Sequence, residues 1–474
     1  MTTDIKQAPT VDVVVLGAGL AGHCAALEAA DAGARVMLME KMARYGGSTL
    51  MSAGSFALAG TDLQAQVGVQ DTPEGLHAEL TRISEGKADP ALVRLYVDHQ
   101  LESYQWLLAQ GVAFHSVSLS SGTAVPRTHP TDPRQLMDAL HARVLAHPLI
   151  QYQSQAAATE LIFDGTDRQV QGVAYIHKGQ QLTARIRRAV VIATGGFTRN
   201  RALVQKFAPE LANTPAWGGE GNTGDGLTMA WALGADMLDM GYVTGTFGVA
   251  INHYPDLSVH EGDALFLRMA MYRGGIAVNV QAQRFADESQ SYKKLAALCL
   301  AQPRAIAFQI FDQRVMEQSV PTPSVNDFQG ALARGIVKQA ATLRELAALI
   351  GLDADTLEAT VSRYNEMIRQ GEDTDFGRKT LGGGWGQPVT LDQGPWYALP
   401  SSAALLSTYC GLRVDTQMRV LDVHAQPISG LYAVGEVAGG FHGAGYMSGS
   451  SLGKSVIFGR IAGRAAVTGE SSAP

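Results

Sequence analysis

Val11 to Leu16 reads VDVVVL, a nearly unbroken apolar run of the length of a strand buried on both faces. A glycine cluster follows, and then LAGHCAALEAADAG, whose apolar residues predict an amphipathic helix. A second strand is predicted from Arg35 to Met39 and ends on the acid Glu40. Two later runs, Ala189 to Ala193 in RRAVVIATGG and the core of ISGLYAVGE, are strands that also run straight into glycine. Helices are predicted over GDGLTMAWALGAD, Leu343 to Ile350, Thr356 to Ile368, and from about Ser451 onward. The two middle helices are preceded by capping-box pairs, Thr342 with Glu345 and Asp355 with Glu358. Strands that exit into glycine line the carboxyl ends of a parallel sheet, where ligands sit.

The first of these exits is the most specific. Gly17, Gly19 and Gly22 form G-x-G-x-x-G between a strand and a helix, and Glu40 lies eighteen residues past the last glycine. In such a unit Gly17 makes the turn, Gly19 lets a pyrophosphate reach the helix N-terminus, Gly22 permits close helix–strand packing, and Glu40 accepts from ribose hydroxyls. Directly after the acid comes MARYGGSTLMSAGSF, a second loop rich in glycine and hydroxyls at Gly46, Gly47, Ser48, Thr49 and Gly54. A dinucleotide that extends beyond its ribose toward an isoalloxazine needs such a loop, so FAD is favoured over NAD. Thr194, Gly195 and Gly196 at one later exit, and Gly435 and Glu436 at the other, bound the same ligand.

At 474 residues, 46% of them apolar, the chain can fill the cores of two or three domains. Its formal charge of −7 offers no basic face to nucleic acid or to an anionic membrane surface, which leaves small-molecule chemistry. Cys24, Cys299 and Cys410 are far apart and odd in number, so they match neither a disulfide framework nor iron–sulfur or haem-attachment spacing, and no metal is expected. The N-terminal MTTDIKQAPT lacks an apolar core and no run of eighteen apolar residues follows, so a cytoplasmic protein without membrane insertion is expected. Nothing in the sequence reads out the oligomeric state.

Taken in order, VVVLGAGLAG, GGSTLMSAG, VVIATGGF, NTGDGLTMAWALGAD, GGIAVNVQAQRFADES and GLYAVGEVAGG…GKSVIFGRIAG resemble the flavoprotein superfamily of fumarate reductase, succinate dehydrogenase and the 3-ketosteroid dehydrogenases. The resemblance implies an α/β fold: a Rossmann-like FAD-binding domain in two segments, 1–239 and 362–474, with an α+β cap domain, 240–361, inserted between them and the active site where cap and flavin meet. It implies FAD contacts at Gly17, Ala18, Gly19, Ala21, Gly22, Glu40, Lys41, Gly47, Ser48, Thr49, Ala53 and Gly54. It carries them on to Thr194, Gly195, Gly196, Asn222, Asp225, Gly435, Glu436, Gly449, Ser451 and Leu452. The loop GSTLMSAG has no histidine where membrane-bound relatives attach the cofactor, so noncovalent FAD is expected, and the helix from Ser451 is expected to aim its N-terminus at the flavin.

Three positions depart from the acid-reducing members. The block RFADESQSYKK carries Tyr292 where they have a proton-delivering arginine, HGAGYMSG carries Tyr446 where they have a carboxylate-clamping arginine, and STYCGL carries Ser407 for a histidine. Arginine presents a rigid fork that matches two carboxylate oxygens, whereas a phenol presents one hydroxyl with a pKa near 10. The exchange removes a dicarboxylate site and suits a ketone, and Tyr292, Tyr446 and Ser448 fall on the active-site positions of the 3-ketosteroid 4-dehydrogenase branch. Tyr446 sits in GGFHGAGYMSGSSLG, where six glycines in fifteen residues predict that something flat lies against the backbone and leave the phenol little to pack on locally. His442 in the same stretch reads as a scaffold residue and stays outside the catalytic set.

The leading reading is therefore FAD-dependent α,β-dehydrogenation of a cyclic ketone, a 3-ketosteroid or a smaller cyclohexanone-type ring, with an external electron acceptor. One tyrosine takes the α-proton and a hydride passes to flavin N5. The alternative is an ene-reductase of an unsaturated carboxylic acid, for which Arg273, Arg284 and Arg413 are the remaining candidate clamps, Arg284 being the better candidate for a structural role. A third class, a subunit that only relays electrons, is disfavoured by the absence of cluster or haem motifs.

Overall fold

The computed structural model describes residues 9–120, 123–164, 169–243, 245–256, 266–321, 324–382 and 386–469. The chain divides into two compact units, the first made of 1–118, 125–243 and 406–474 and the second of 119–124 and 244–405.

In the first unit, strand β1 (Thr10–Leu16) pairs in parallel with β2 (Val36–Met39) on one side and with the long strand Gln180–Ile192 on the other. Ile150–Gln153 extends the parallel set beyond β2, and Pro427–Ala433 extends it beyond the long strand. Both faces of such a sheet are covered, which is why Val13 to Leu16 and Val36 to Met39 are buried without alternation. The sequence shows only the last third of Gln180–Ile192 as a strand. Its first half, polar and partly exposed, instead pairs antiparallel with Gln169–His177.

Helix α1 (Leu20–Asp31) is not amphipathic as expected: Leu20 through Ala30 are all buried. The reason is a second helix on its outer side. In the C-terminal helix Ser450–Thr468, a Cβ on Gly459 would lie 2.6 Å from the Ala21 carbonyl, and one on Gly463 would lie 2.4 Å from the Ala25 carbonyl. Two helices that approach this closely need small residues on both sides, and α1 supplies Ala21, Ala25 and Ala29. Arg460 closes the contact with a buried ion pair to Glu28, 2.6 Å.

The second unit holds an antiparallel sheet in the order Thr246–Ala250, Trp396–Ala404, Ala307–Phe311, Ile276–Asn279, with Lys338–Ala340 also on Trp396–Ala404. Leu343–Ile350 is a helix as read, with both halves of the Thr342–Glu345 capping box formed. The next helix spans Ala354–Gln370, and its cap is Asp353, which accepts from Thr356 N, rather than Asp355, which is exposed and paired with Arg344. This helix runs unbroken through Ser362, so the return to the first unit does not fall there. The central strand Trp396–Ala404 still belongs to the second unit, and the chain leaves it only after Leu405. No helix among the described residues is long and apolar enough to cross a membrane.

Candidate functional site

The carboxyl end of β1 turns at Gly17, whose φ of +102° suits only glycine and whose Cβ would strike the Ala193 carbonyl at 2.4 Å. Gly19 caps α1 without any side-chain hydrogen bond, and the nearest atom to a Cβ there is the Gly46 carbonyl at 3.9 Å, so the first turn of the helix is open to close approach. The loop read from GGSTL lies beside this turn: Gly46 N donates to the Ala18 carbonyl (2.8 Å) and Leu20 N to Thr49 Oγ1 (3.3 Å). Glu40, buried at the end of β2, accepts from Ala18 N through Oε2 (2.9 Å) and from Met42 N through Oε1 (2.8 Å). Burial pushes its pKa up, against the pull of those two N–H groups and of Lys41. Each carboxylate oxygen keeps a lone pair beyond the bond it accepts.

The other strand exits converge on a second cluster. Glu436 Oε1 accepts from Thr408 N (2.8 Å) and Asn222 Nδ2 (3.1 Å), and Ser48 Oγ accepts from Gly219 N (3.1 Å). Gly196 packs so tightly here that a Cβ would meet Thr408 Oγ1 at 2.0 Å. Asn222 Oδ1 and Thr194 Oγ1 are buried and have no hydrogen-bond partner among the described residues. Orphaned polar atoms beside an open helix start and a carboxylate with spare lone pairs fit a ligand rich in hydroxyl and phosphate groups, as FAD is.

Several of the other expected contacts are engaged within the protein. Lys41 and Asp225 form an ion pair with each other, 2.7 Å, with Thr223 between them. Ala53 and Gly47 are exposed, whereas Gly54 is buried against Thr131. Gly435 abuts Ala21, and Leu452 is buried. Glu40→Ala is expected to weaken FAD binding and to leave the rate per bound flavin unchanged, because the carboxylate sits at the β2 end; flavin titration would measure it, and an unchanged Kd contradicts the placement.

The glycine-rich stretch differs from expectation in an instructive way. A Cβ on Gly445 would lie 1.9 Å from the Ile83 carbonyl, one on Gly449 would lie 2.7 Å from Ala57 N, and one on Gly453 would lie 2.1 Å from the Tyr96 hydroxyl. Much of the bare backbone thus admits the protein's own segments. Tyr446 is not isolated either: its ring stacks on Tyr409, with centroids 5.0 Å apart and planes at 25°, and His442 lies 5.5 Å away. Burial pushes the Tyr446 phenol up, while the Ser451 hydroxyl and the N–H groups of Gly449 and Ser451 hold it down. Ser448 is half-buried two residues further on.

Tyr292 belongs to the second unit, where it opens the helix Tyr292–Leu300 capped by Ser291. Its ring packs on the core around Phe247 and Leu295, and the Lys293 ammonium, bonded to Thr246 Oγ1, lies 5.5 Å from it. The candidate carboxylate clamps are committed elsewhere. Arg284 is bonded to Glu288 and Asp373, and Arg413 to Asp236, while Arg273 reaches Asn326.

Sequence reasoning missed Thr408 and Tyr409, although both lie in the quoted STYCGL, because only the folded chain brings them to Glu436 and Tyr446. It also missed a buried imidazole pair beneath the dinucleotide turn. His23 Nδ1 donates to the Gly19 carbonyl (3.0 Å), which leaves Nε2 to accept from His141 Nδ1 (3.0 Å), and Tyr45 stacks on His141. Burial lowers the pKa of His23 to about 4 and that of His141 below its ordinary value. The unfolded chain, titrating near 6.5, binds more protons than the folded one in this window. Stability supplied by the neutral His23 is thus present above pH 6.5 and lost toward pH 4, on the order of 3 kcal/mol. Thermal unfolding measured from pH 7 to pH 4 is expected to show this loss, and His23→Gln is expected to make the dependence shallower; an equally steep profile contradicts it.

The nucleotide-shaped turn, its acid and the converging strand exits define a dinucleotide-binding flavoprotein. The chain belongs to the FAD binding domain family, whose model matches residues 12–452. It is 32% identical over 463 residues to fumarate reductase (cytochrome) of Shewanella frigidimarina, covering 96% of this chain and 77% of that protein. It is 31% identical over 461 residues to NADH:fumarate oxidoreductase of Klebsiella pneumoniae (strain 342), covering 96% of this chain and 47% of that protein, so it spans about half of that relative. The solved structure of 3-ketosteroid-delta4-(5alpha)-dehydrogenase from Rhodococcus jostii RHA1, in complex with 4-androstene-3,17-dione, matches with a TM-score of 0.77 at 28% identity, over 98% of this chain and 99% of that one. The protein is an FAD flavoprotein of the fumarate reductase family of oxidoreductases.

Proposed function

We propose that this flavoprotein desaturates a cyclic ketone next to its carbonyl, a 3-ketosteroid or a smaller cyclohexanone-type ring, and passes the electrons to an external acceptor. The observation that carries the reading is the setting of Tyr446, a phenol held by its stack on Tyr409, with ring centroids 5.0 Å apart, at a position where the resemblance places an arginine in acid-reducing members. A phenol fixed in this way can act as general base toward a proton acidified by the neighbouring ketone.

Gly17 to Gly22, Glu40, Ser48, Asn222 and Glu436 would hold FAD noncovalently, and when bound it supplies the two-electron oxidation. Tyr446 takes the α-proton. Tyr292 and Ser448 supply hydroxyls to the ketone oxygen and to the departing proton. The relation to the ketosteroid dehydrogenase at 28% identity supports this substrate class.

Reduction of an unsaturated acid is the second reading, and the two reductase relatives favour it. Against it stand Arg284 and Arg413, both already paired with carboxylates. Product analysis separates the two: protein incubated with a cyclic ketone and an artificial electron acceptor should yield the conjugated enone. No enone from any ring tried, together with turnover of an unsaturated acid by the dithionite-reduced protein, would reverse the order.

A further inference from the structure

Tyr409 is buried, 5% exposed, and its backbone is fixed on both sides. On one side Thr408 N donates to Glu436 Oε1 (2.8 Å), Thr408 forms an antiparallel bridge with Val243, and Tyr409 N donates to the Tyr242 carbonyl (3.4 Å). On the other side Gly411 and Leu412 pair antiparallel with Leu238 and Met237. The ring that leaves this backbone lies against Tyr446, with centroids 5.0 Å apart and planes at 25°. His442 stands edge-on to Tyr409 at 5.0 Å and 70°, and lies 5.5 Å from Tyr446, so it braces both rings. Tyr446 itself belongs to a segment, 439–449, that is neither helix nor strand. Its hydroxyl sits at the far end of the ring, where a small rotation about the bond to Cβ moves it most. Glu436 is one of the residues that would hold FAD, so Thr408 and Tyr409, adjacent in the chain, join the cofactor cradle to the phenol.

We propose that Tyr409 is a positioning residue for the reaction: its ring, carried on the segment that also binds Glu436, aims the Tyr446 hydroxyl at the substrate's α-carbon. This rests on Tyr446 being the base. A general base gains its rate from being held at the proton it takes, and a displacement of about 1 Å can cost on the order of a hundredfold. In this role the ring of Tyr409 is required and its hydroxyl is not.

The test uses the holoprotein in anaerobic single-turnover reduction by a cyclic ketone, with rates normalised to bound FAD. Tyr409→Leu is expected to lower the limiting rate roughly tenfold to a hundredfold and to leave the ketone concentration at half-maximal rate within about twofold. Tyr409→Phe should stay within about twofold in both. The loss must also act through the phenol: in the Tyr446→Phe background, Tyr409→Leu should cost less than about twofold more, because no hydroxyl is left to aim. A second readout needs no turnover. In oxidised holoprotein carrying 3-fluorotyrosine, the Tyr446 19F signal, assigned by the Tyr446→Phe variant, should be split or broad from slow ring flipping, and should collapse to one narrow line in Tyr409→Leu. If no ketone reduces the wild type, or Tyr446→Phe is as fast, the proposed function and this role fall together. If Tyr446→Phe is slow but Tyr409→Leu is not, or Tyr409→Leu costs as much in the Tyr446→Phe background as in the wild type, the positioning role is wrong and the function stands. Where Tyr409→Leu fails to fold, Tyr409→Phe still decides: a loss of about tenfold there would place the effect in the hydroxyl and overturn the role of the ring.

Discussion

Tyr446→Phe is expected to slow flavin reduction by a saturated cyclic ketone roughly a hundredfold or more in single turnover, with FAD content unchanged. The substitution is clean because the ring itself is held by packing. Phenylalanine keeps the stack on Tyr409 at 5.0 Å and loses the hydroxyl. Tyr292→Phe should give a loss of the same order, since the ring of Tyr292 also packs on a core, around Phe247 and Leu295, that does not need its hydroxyl. A residue that served packing alone would leave the rate where it was. Rates near wild type in both variants would remove the phenol mechanism and put reduction of an unsaturated acid first.

Gly22→Val is expected to give colourless protein that has lost nearly all its FAD. A Cβ at this position would lie 1.9 Å from the Gly17 carbonyl and 3.4 Å from Ala193 Cβ. Backbone cannot yield to that contact locally, so α1 must move away from the end of β1 and take the open first turn at Gly19 with it. The ratio of flavin to protein absorbance in the purified variant measures the loss. Full occupancy would mean that the turn between Gly17 and Gly22 does not hold the cofactor.

These two predictions draw on different kinds of sequence information. Gly22 was legible because its constraint is local: strand, turn and helix lie within about twenty residues, and buried parallel strands announce themselves as apolar runs. The setting of Tyr446 was only half legible. Its residue type marked it, but Tyr409 and Thr408 reach the cluster from another segment, through pairings that no local pattern encodes. The same limit explains the second unit. Trp396–Ala404 looks like any strand in sequence, and only its pairing with Ala307–Phe311 shows that the chain has not yet returned. The misread face of α1 has the same origin, since a helix covered on its outer side by Gly459 and Gly463 has no solvent face to show. Glycine is ambiguous in itself: at Gly19 it leaves room, whereas at Gly445 and Gly453 it is filled by Ile83 and Tyr96.

The most direct measurement is the anaerobic absorbance of the bound flavin on mixing the oxidised holoprotein with saturated cyclic ketones of one ring and of four, no partner protein being present. Bleaching of the oxidised flavin band by at least one of them, with the conjugated enone formed in equal amount, is the predicted result. A flavin that stays oxidised with every ketone, and that after dithionite reduction is reoxidised by an unsaturated carboxylic acid, would contradict the account.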